Sequence, residues 1–113
     1  MNRTILLLSC ASLLMALAGN PFSPAHAATL GDPEAGRIYA ETHCASCHSI
    51  VPNGNTSPVP DATPFQEIAN TGGITRTALI VFLRSPHPTM PNLVVEGDDA
   101  DNLIEYILSL KSN

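Results

Sequence analysis

Residues 43–48 read HCASCH, and within them two cysteines stand three apart with a histidine directly after the second. On a helical turn, positions i and i+3 share a face, so Cys44 and Cys47 are expected to present their sulfurs together with His48 immediately beyond. A chain that carries this triplet has to fold around whatever the triplet holds. How strongly that binds the rest of the molecule depends on what other resources the folded domain has.

Asn2 and Arg3 precede an apolar run from Ile5 to Leu17, followed by Gly19, Pro21 and the small-residue ending Ala25-His26-Ala27. This pattern predicts a cleavable secretory signal over residues 1–27 and one small domain over residues 28–113, exported to the periplasm. The apolar run is shorter than the roughly 20 residues of a membrane-spanning helix, so no stable membrane insertion is expected. Cys10, in LLSC, could be read as an acylated cysteine, but the chain stays apolar beyond it, where a lipid-anchored N-terminus should turn polar.

Removing the leader takes away Cys10, Met1, Met15 and Phe22. The domain then keeps Cys44 and Cys47 as its only thiols, Met90 as its only methionine, and Tyr39, Phe65, Phe82 and Tyr106 as its aromatic residues, with no tryptophan. A domain of this size is marginal on its own core and needs a staple, a metal or a cofactor. Losing Arg3 also makes the domain one charge more negative than the −5 of the whole chain. Nucleic acid needs a concentrated basic face and is therefore excluded as a partner; a protein with a basic docking patch, associating in a salt-sensitive way, fits.

The remaining pattern is helical. Asp32, Pro33 and Glu34 form a helix start of cap, first-turn proline and dipole-matched acid, and the helix is expected to run through the cysteine motif. Pro52, Pro58, Pro60 and Pro64 exclude helix or central strand over the next stretch, and so long a loop in so small a domain is usually functional. A short helix is expected near Phe65 to Asn70, closed by Gly72 and Gly73. A third, TRTALIVFLR, should bury Ala78, Leu79, Phe82 and Leu83 and stop at Pro86. The last helix is expected to be capped by Asp98, with Asp99 and Asp101 in its first turn, Lys111 at its end, and Leu103, Ile104, Ile107 and Leu108 buried. No segment alternates as a strand does. The expected fold class is all-α, about four helices with long loops.

Cys-x-x-Cys-His has a specific chemistry. Thiols at this spacing can add across two neighbouring vinyl groups of haem, forming thioethers, and His48 is then held where a ring nitrogen reaches the iron. A thioredoxin-like dithiol would need a strand leading into the motif, which the pattern lacks. A structural zinc site wants four ligands, and two cysteines do not supply them.

With AGRIYAETHCASCHSI at the front, LIVFLRSPHPTMPNL before the end and DADNLIEYILSL as the last helix, nearly the whole domain resembles the small bacterial class I monohaem cytochromes c, ligated by histidine and methionine. The resemblance implies a cytochrome c fold wrapped around one covalently attached haem c, with the first and last helices crossing near one haem edge. Gly36 resembles the small residue at that crossing, and Leu103 and Tyr106 its partners. It also implies that a proline carbonyl in the loop after His48 accepts the histidine's second ring N–H, which sets its orientation and basicity. Pro58 is the leading candidate beside Pro60 and Pro52; alternatively, the prolines only stiffen a surface loop. Two positions depart from the family: Ala40 stands where an aromatic residue is usual, with Tyr39 beside it to supply bulk, and no tryptophan donates to a haem propionate. Arg76 or Arg84 could replace that donor, or could simply be solvated.

The second iron ligand separates the functions. SPHPTMPNL contains His87 and Met90 among three prolines, which restrict the unfolded loop and so lower the entropy lost on ordering it. A neutral, soft thioether from Met90 saturates the iron and raises its potential. His87 in that place would lower the potential. Met90 is the expected ligand, with His87 a surface neighbour and His43 an exposed histidine near the docking edge. The expected function is a monomeric, periplasmic one-electron carrier shuttling between redox protein partners (a dehydrogenase, an oxidase or another cytochrome) without substrate chemistry. The alternative is a haem protein with an open or labile sixth site, acting as a peroxidase-like enzyme or a gas sensor, for which the sequence offers no distal acid–base pair.

Overall fold

The computed structural model describes residues 30–85, Met90 and residues 93–112. The leader, Cys10, His87 and Pro86, Pro88 and Pro91 lie outside the described residues. Among those described, the regular elements are four helices and no strand: α1 (Pro33–His43), α2 (Phe65–Asn70), α3 (Arg76–Arg84) and α4 (Gly97–Ser109).

The α1 start is the expected one. Asp32 accepts from the backbone N–H groups of Glu34 and Ala35 at 2.9 and 3.4 Å, satisfying two of the donors a helix leaves open at its start. Its end is not. The helix closes at His43 with Cys44 as C-cap, so the cysteine motif lies in the turn that follows, outside the helix. The carbonyl of Ala40 accepts from both Cys44 N–H at 2.8 Å and Ala45 N–H at 3.0 Å, and this shared acceptor widens the last turn and stops the regular ladder.

α4 packs most extensively on α1. The crossing is close because Gly36 has no side chain: a Cβ there would stand 2.0 Å from the carbonyl oxygen of Asn102 and 2.9 Å from the nitrogen of Leu103. Below the crossing Ala40, Leu103 and Ile104 are shut off from solvent. The buried face of α4 also includes Ala100, Tyr106 and Ile107, whereas Leu108 is half-buried. Asp98 does not cap α4. The cap position belongs to Glu96, whose side chain makes no cap bond; the helix starts two residues earlier than expected, at Gly97, which adopts φ 61°. Asp98 and Asp99 then lie inside the first turn, where their charge suits the helix dipole.

The shorter helices are tied to this pair by side chains. Thr75 caps α3 by accepting from Ala78 N–H. Arg76 pairs with Glu105 and, at 2.6 Å, with Asp101, and donates to the Leu30 carbonyl at 3.1 Å, which clamps α3 and the entry to α1 onto α4. Gln66 of α2 donates to the Leu110 carbonyl and to Ser112 Oγ, and accepts from Asn53 N–H at 3.0 Å. Of the face expected to be buried on α3, Leu79 is buried and Ala78 and Leu83 half-buried, but Phe82 is 55% exposed. It borders a cavity instead of filling the core.

Candidate functional site

Between the helices and the long loop lies a cavity of about 420 Å³, within the roughly 300–1,000 Å³ of ordinary ligand pockets. Cys44, Cys47 and His48 border it together, and so does Met90. The wall between them is apolar, built from Phe65 and Ile68 of α2, Leu79 and Leu83 of α3, and Leu103 and Ile107 of α4.

The turn after α1 brings the triplet together. The Cys44 carbonyl accepts from Cys47 N–H at 3.0 Å and from His48 N–H at 2.9 Å, so residues 44–48 form a compact, hydrogen-bonded unit even though the helix has ended. Cys44 is buried, and burial first, with Cys47 nearby second, pushes its thiol up to about 11. A dithiol redox site works through a cysteine whose pKa is lowered, and that of Cys44 moves the other way. Among the described residues no cluster of three or more His, Cys, Asp or Glu side chains is placed to hold a metal ion.

His48 is oriented by a carbonyl, as expected, but not by the expected one. Its Nδ1 lies 2.7 Å from the Thr63 carbonyl oxygen. A carbonyl only accepts, so Nδ1 carries the proton, and in the neutral ring Nε2 holds the lone pair. Pro58 is therefore corrected to Thr63 as the acceptor, and the loop's hydrogen bonds explain why. Ser57 Oγ accepts from Ser49 N–H at 2.9 Å and Val59 N–H donates to the Cys47 carbonyl at 3.2 Å, which holds the chain on either side of Pro58 while Pro58 itself is exposed. Further on, Phe65 N–H donates to the Ser49 carbonyl at 2.9 Å, drawing residues 63–65 alongside His48. The Phe65 ring then meets the His48 imidazole with centroids 5.5 Å apart and planes tilted by 48°.

Arg76 is not free to meet a propionate, since Asp101, Glu105 and the Leu30 carbonyl already engage it. Arg84 is exposed at the end of α3. His43 is exposed, borders the cavity and meets Tyr39 with ring centroids 4.4 Å apart; Ala40 is fully buried. Thr63 carried no signal in the sequence because only its backbone is used. Phe65 carried a weak one, as one of few aromatic residues in a chain short of them.

These residues fit haem c. Two thiols and an imidazole with a defined lone pair border one apolar cavity, and a thioether borders it too. No family model and no solved structure matches the chain. It is 33% identical over 89 residues to cytochrome c-552 of Bradyrhizobium diazoefficiens, an alignment that spans 79% of this chain and 85% of the relative's length. With the all-helical fold and the cysteine–histidine triplet at its cavity, that likeness means that the chain belongs to the small class I monohaem cytochromes c, electron-transfer proteins that carry covalently bound haem c.

Proposed function

We propose that the protein is a periplasmic one-electron carrier rather than an enzyme, that Cys44 and Cys47 hold the haem through thioethers, and that His48 and Met90 are the axial ligands of its iron. The observation that carries this reading is the bordering of one cavity by both thiols, His48 and Met90. Bound haem supplies an iron that cycles between ferrous and ferric states. The chain supplies the rest: Thr63 fixes the His48 tautomer and raises the basicity of Nε2, Met90 offers a neutral sulfur that favours the ferrous state, and the apolar wall keeps water from the metal.

Ten acids against five bases favour redox partners with a basic docking face, approached at the exposed haem edge. The leader over residues 1–27 supports export, and among the described residues no helix is long and apolar enough to cross a membrane.

The test is the oxidised protein's optical spectrum before and after Met90→Ala. Wild type should show the weak long-wavelength band of methionine bound to ferric iron. The variant should lose it, bind small ligands or peroxide, and fall in potential. Axial-ligand choice spans about 0.8 V among haem proteins, so the fall should be far outside measuring error. A variant with unchanged band and potential removes Met90 from the iron.

A further inference from the structure

The main chain at His48 is held from both flanks. The Cys47 carbonyl accepts from Val59 N–H, the Ser49 N–H donates to Ser57 Oγ, and the Ser49 carbonyl accepts from Phe65 N–H. His48's own N–H is taken by the Cys44 carbonyl. None of these bonds acts on the rotation of the imidazole about its bond to the chain. The Nδ1–H bond to Thr63 limits that rotation only loosely, because hydrogen bonds to a carbonyl oxygen tolerate a broad range of directions. What meets the ring itself is Phe65, 5.5 Å away between centroids. Phe65 is 4% exposed, pinned through its backbone to Ser49 and seated at the first position of α2 directly after buried Pro64. It is a fixed flat surface beside a ring to which the Thr63 bond alone leaves some rotation.

We infer that Phe65 is a positioning residue for His48: its ring sets the imidazole plane, and through that plane the strength of the Nδ1–H bond to Thr63 and the electron-donating power of Nε2. The inference rests on the reading of His48 as an axial ligand. Without the flat face the imidazole rotates more freely, its bond to the Thr63 carbonyl weakens, and Nε2 becomes a poorer donor. Ferric iron loses more support than ferrous iron, so the potential rises.

The experiment compares haem-loaded wild type, Phe65→Leu and Ile104→Val. Leucine keeps apolar bulk and removes the flat face. Ile104 is fully buried but does not border the cavity, so its variant reports what a core defect does by itself. The readouts are the potential and the His48 ring resonances in the NMR spectrum of the ferric protein, whose hyperfine shifts depend on the imidazole plane. Phe65→Leu should shift those resonances and raise the potential, and Ile104→Val should do neither. Unchanged resonances and potential in Phe65→Leu overturn the inference, as does an equal change in Ile104→Val. If the wild-type His48 ring shows no hyperfine shift, the axial-ligand reading fails and takes the inference with it. Phe65→Met, flexible enough to refill the space, replaces the leucine variant if that variant does not take up haem, with the same outcomes.

Discussion

The crossing of α1 and α4 and the loop from His48 to Phe65 lie on opposite sides of the cysteine turn and are held by different forces. The crossing is a contact of surfaces: Gly36 against the Asn102 backbone, with Ala40, Leu103 and Ile104 closed to water beneath it. Its specificity comes from side-chain size. The loop buries Ile50, Pro64 and Phe65 but leaves Pro52, Pro58 and Pro60 exposed, and it is stitched by hydrogen bonds to the chain beside His48. Its specificity comes from backbone direction. The crossing thus works through packing, and the loop orients His48. Tyr106 links them, donating its buried hydroxyl from α4 to the Ile50 carbonyl at 2.7 Å.

Breaking the crossing should cost most. In Gly36→Ala the added carbon cannot be accommodated 2.0 Å from a backbone oxygen, so the helices must part; a loss of about 3 kcal/mol is expected in denaturant unfolding, near the upper end for overpacking. Tyr106→Phe cuts the link and leaves a buried carbonyl without its donor, for about 2 kcal/mol. This variant also carries a pH signature. Burial pushes the Tyr106 hydroxyl above its ordinary value, so the folded protein holds that proton more tightly than the unfolded chain. The contribution is complete below about pH 10, the unfolded value, and is lost as pH climbs through the folded one. Tyr106→Phe should therefore flatten the alkaline decline in stability; an equally steep decline in both proteins would deny Tyr106 that role. Ser57→Ala acts on the loop alone, removing the acceptor of a half-buried N–H that water can partly replace. About 1 kcal/mol is expected, with faster hydrogen exchange at Ser49 N–H and none at Leu103.

Elements whose signal lies in side chains were legible. The Asp32–Pro33 start of α1, the span of α2, the end of α3 before Pro86 and the buried stripe of α4 all follow from caps, prolines and helical spacing. Departures fall where the backbone or a distant partner intervenes. The helix stops short of Cys44 because two N–H groups share the Ala40 carbonyl. α4 starts at Gly97, ahead of Asp98. Arg76, a plausible propionate donor when seen in isolation, is taken by acids of α4 that a linear pattern cannot place beside it. Phe82 sits at the expected helical angle, but the cavity, which periodicity does not register, is what it faces.

By itself the amino-acid sequence determined the chemistry: two thiols and a histidine at the spacing haem attachment requires, and an all-helical pattern around them. Those are matters of residue type and interval, which a linear pattern records in full. Only the tertiary structure decided which carbonyl holds His48, which ring lies against it and which acids engage Arg76. Every residue carries a carbonyl, so nothing in the identity of Thr63 marks it out. The hydrogen bonds on both sides of Pro58 turn that residue outward, and the bond from Phe65 to Ser49 delivers the Thr63 oxygen to the ring.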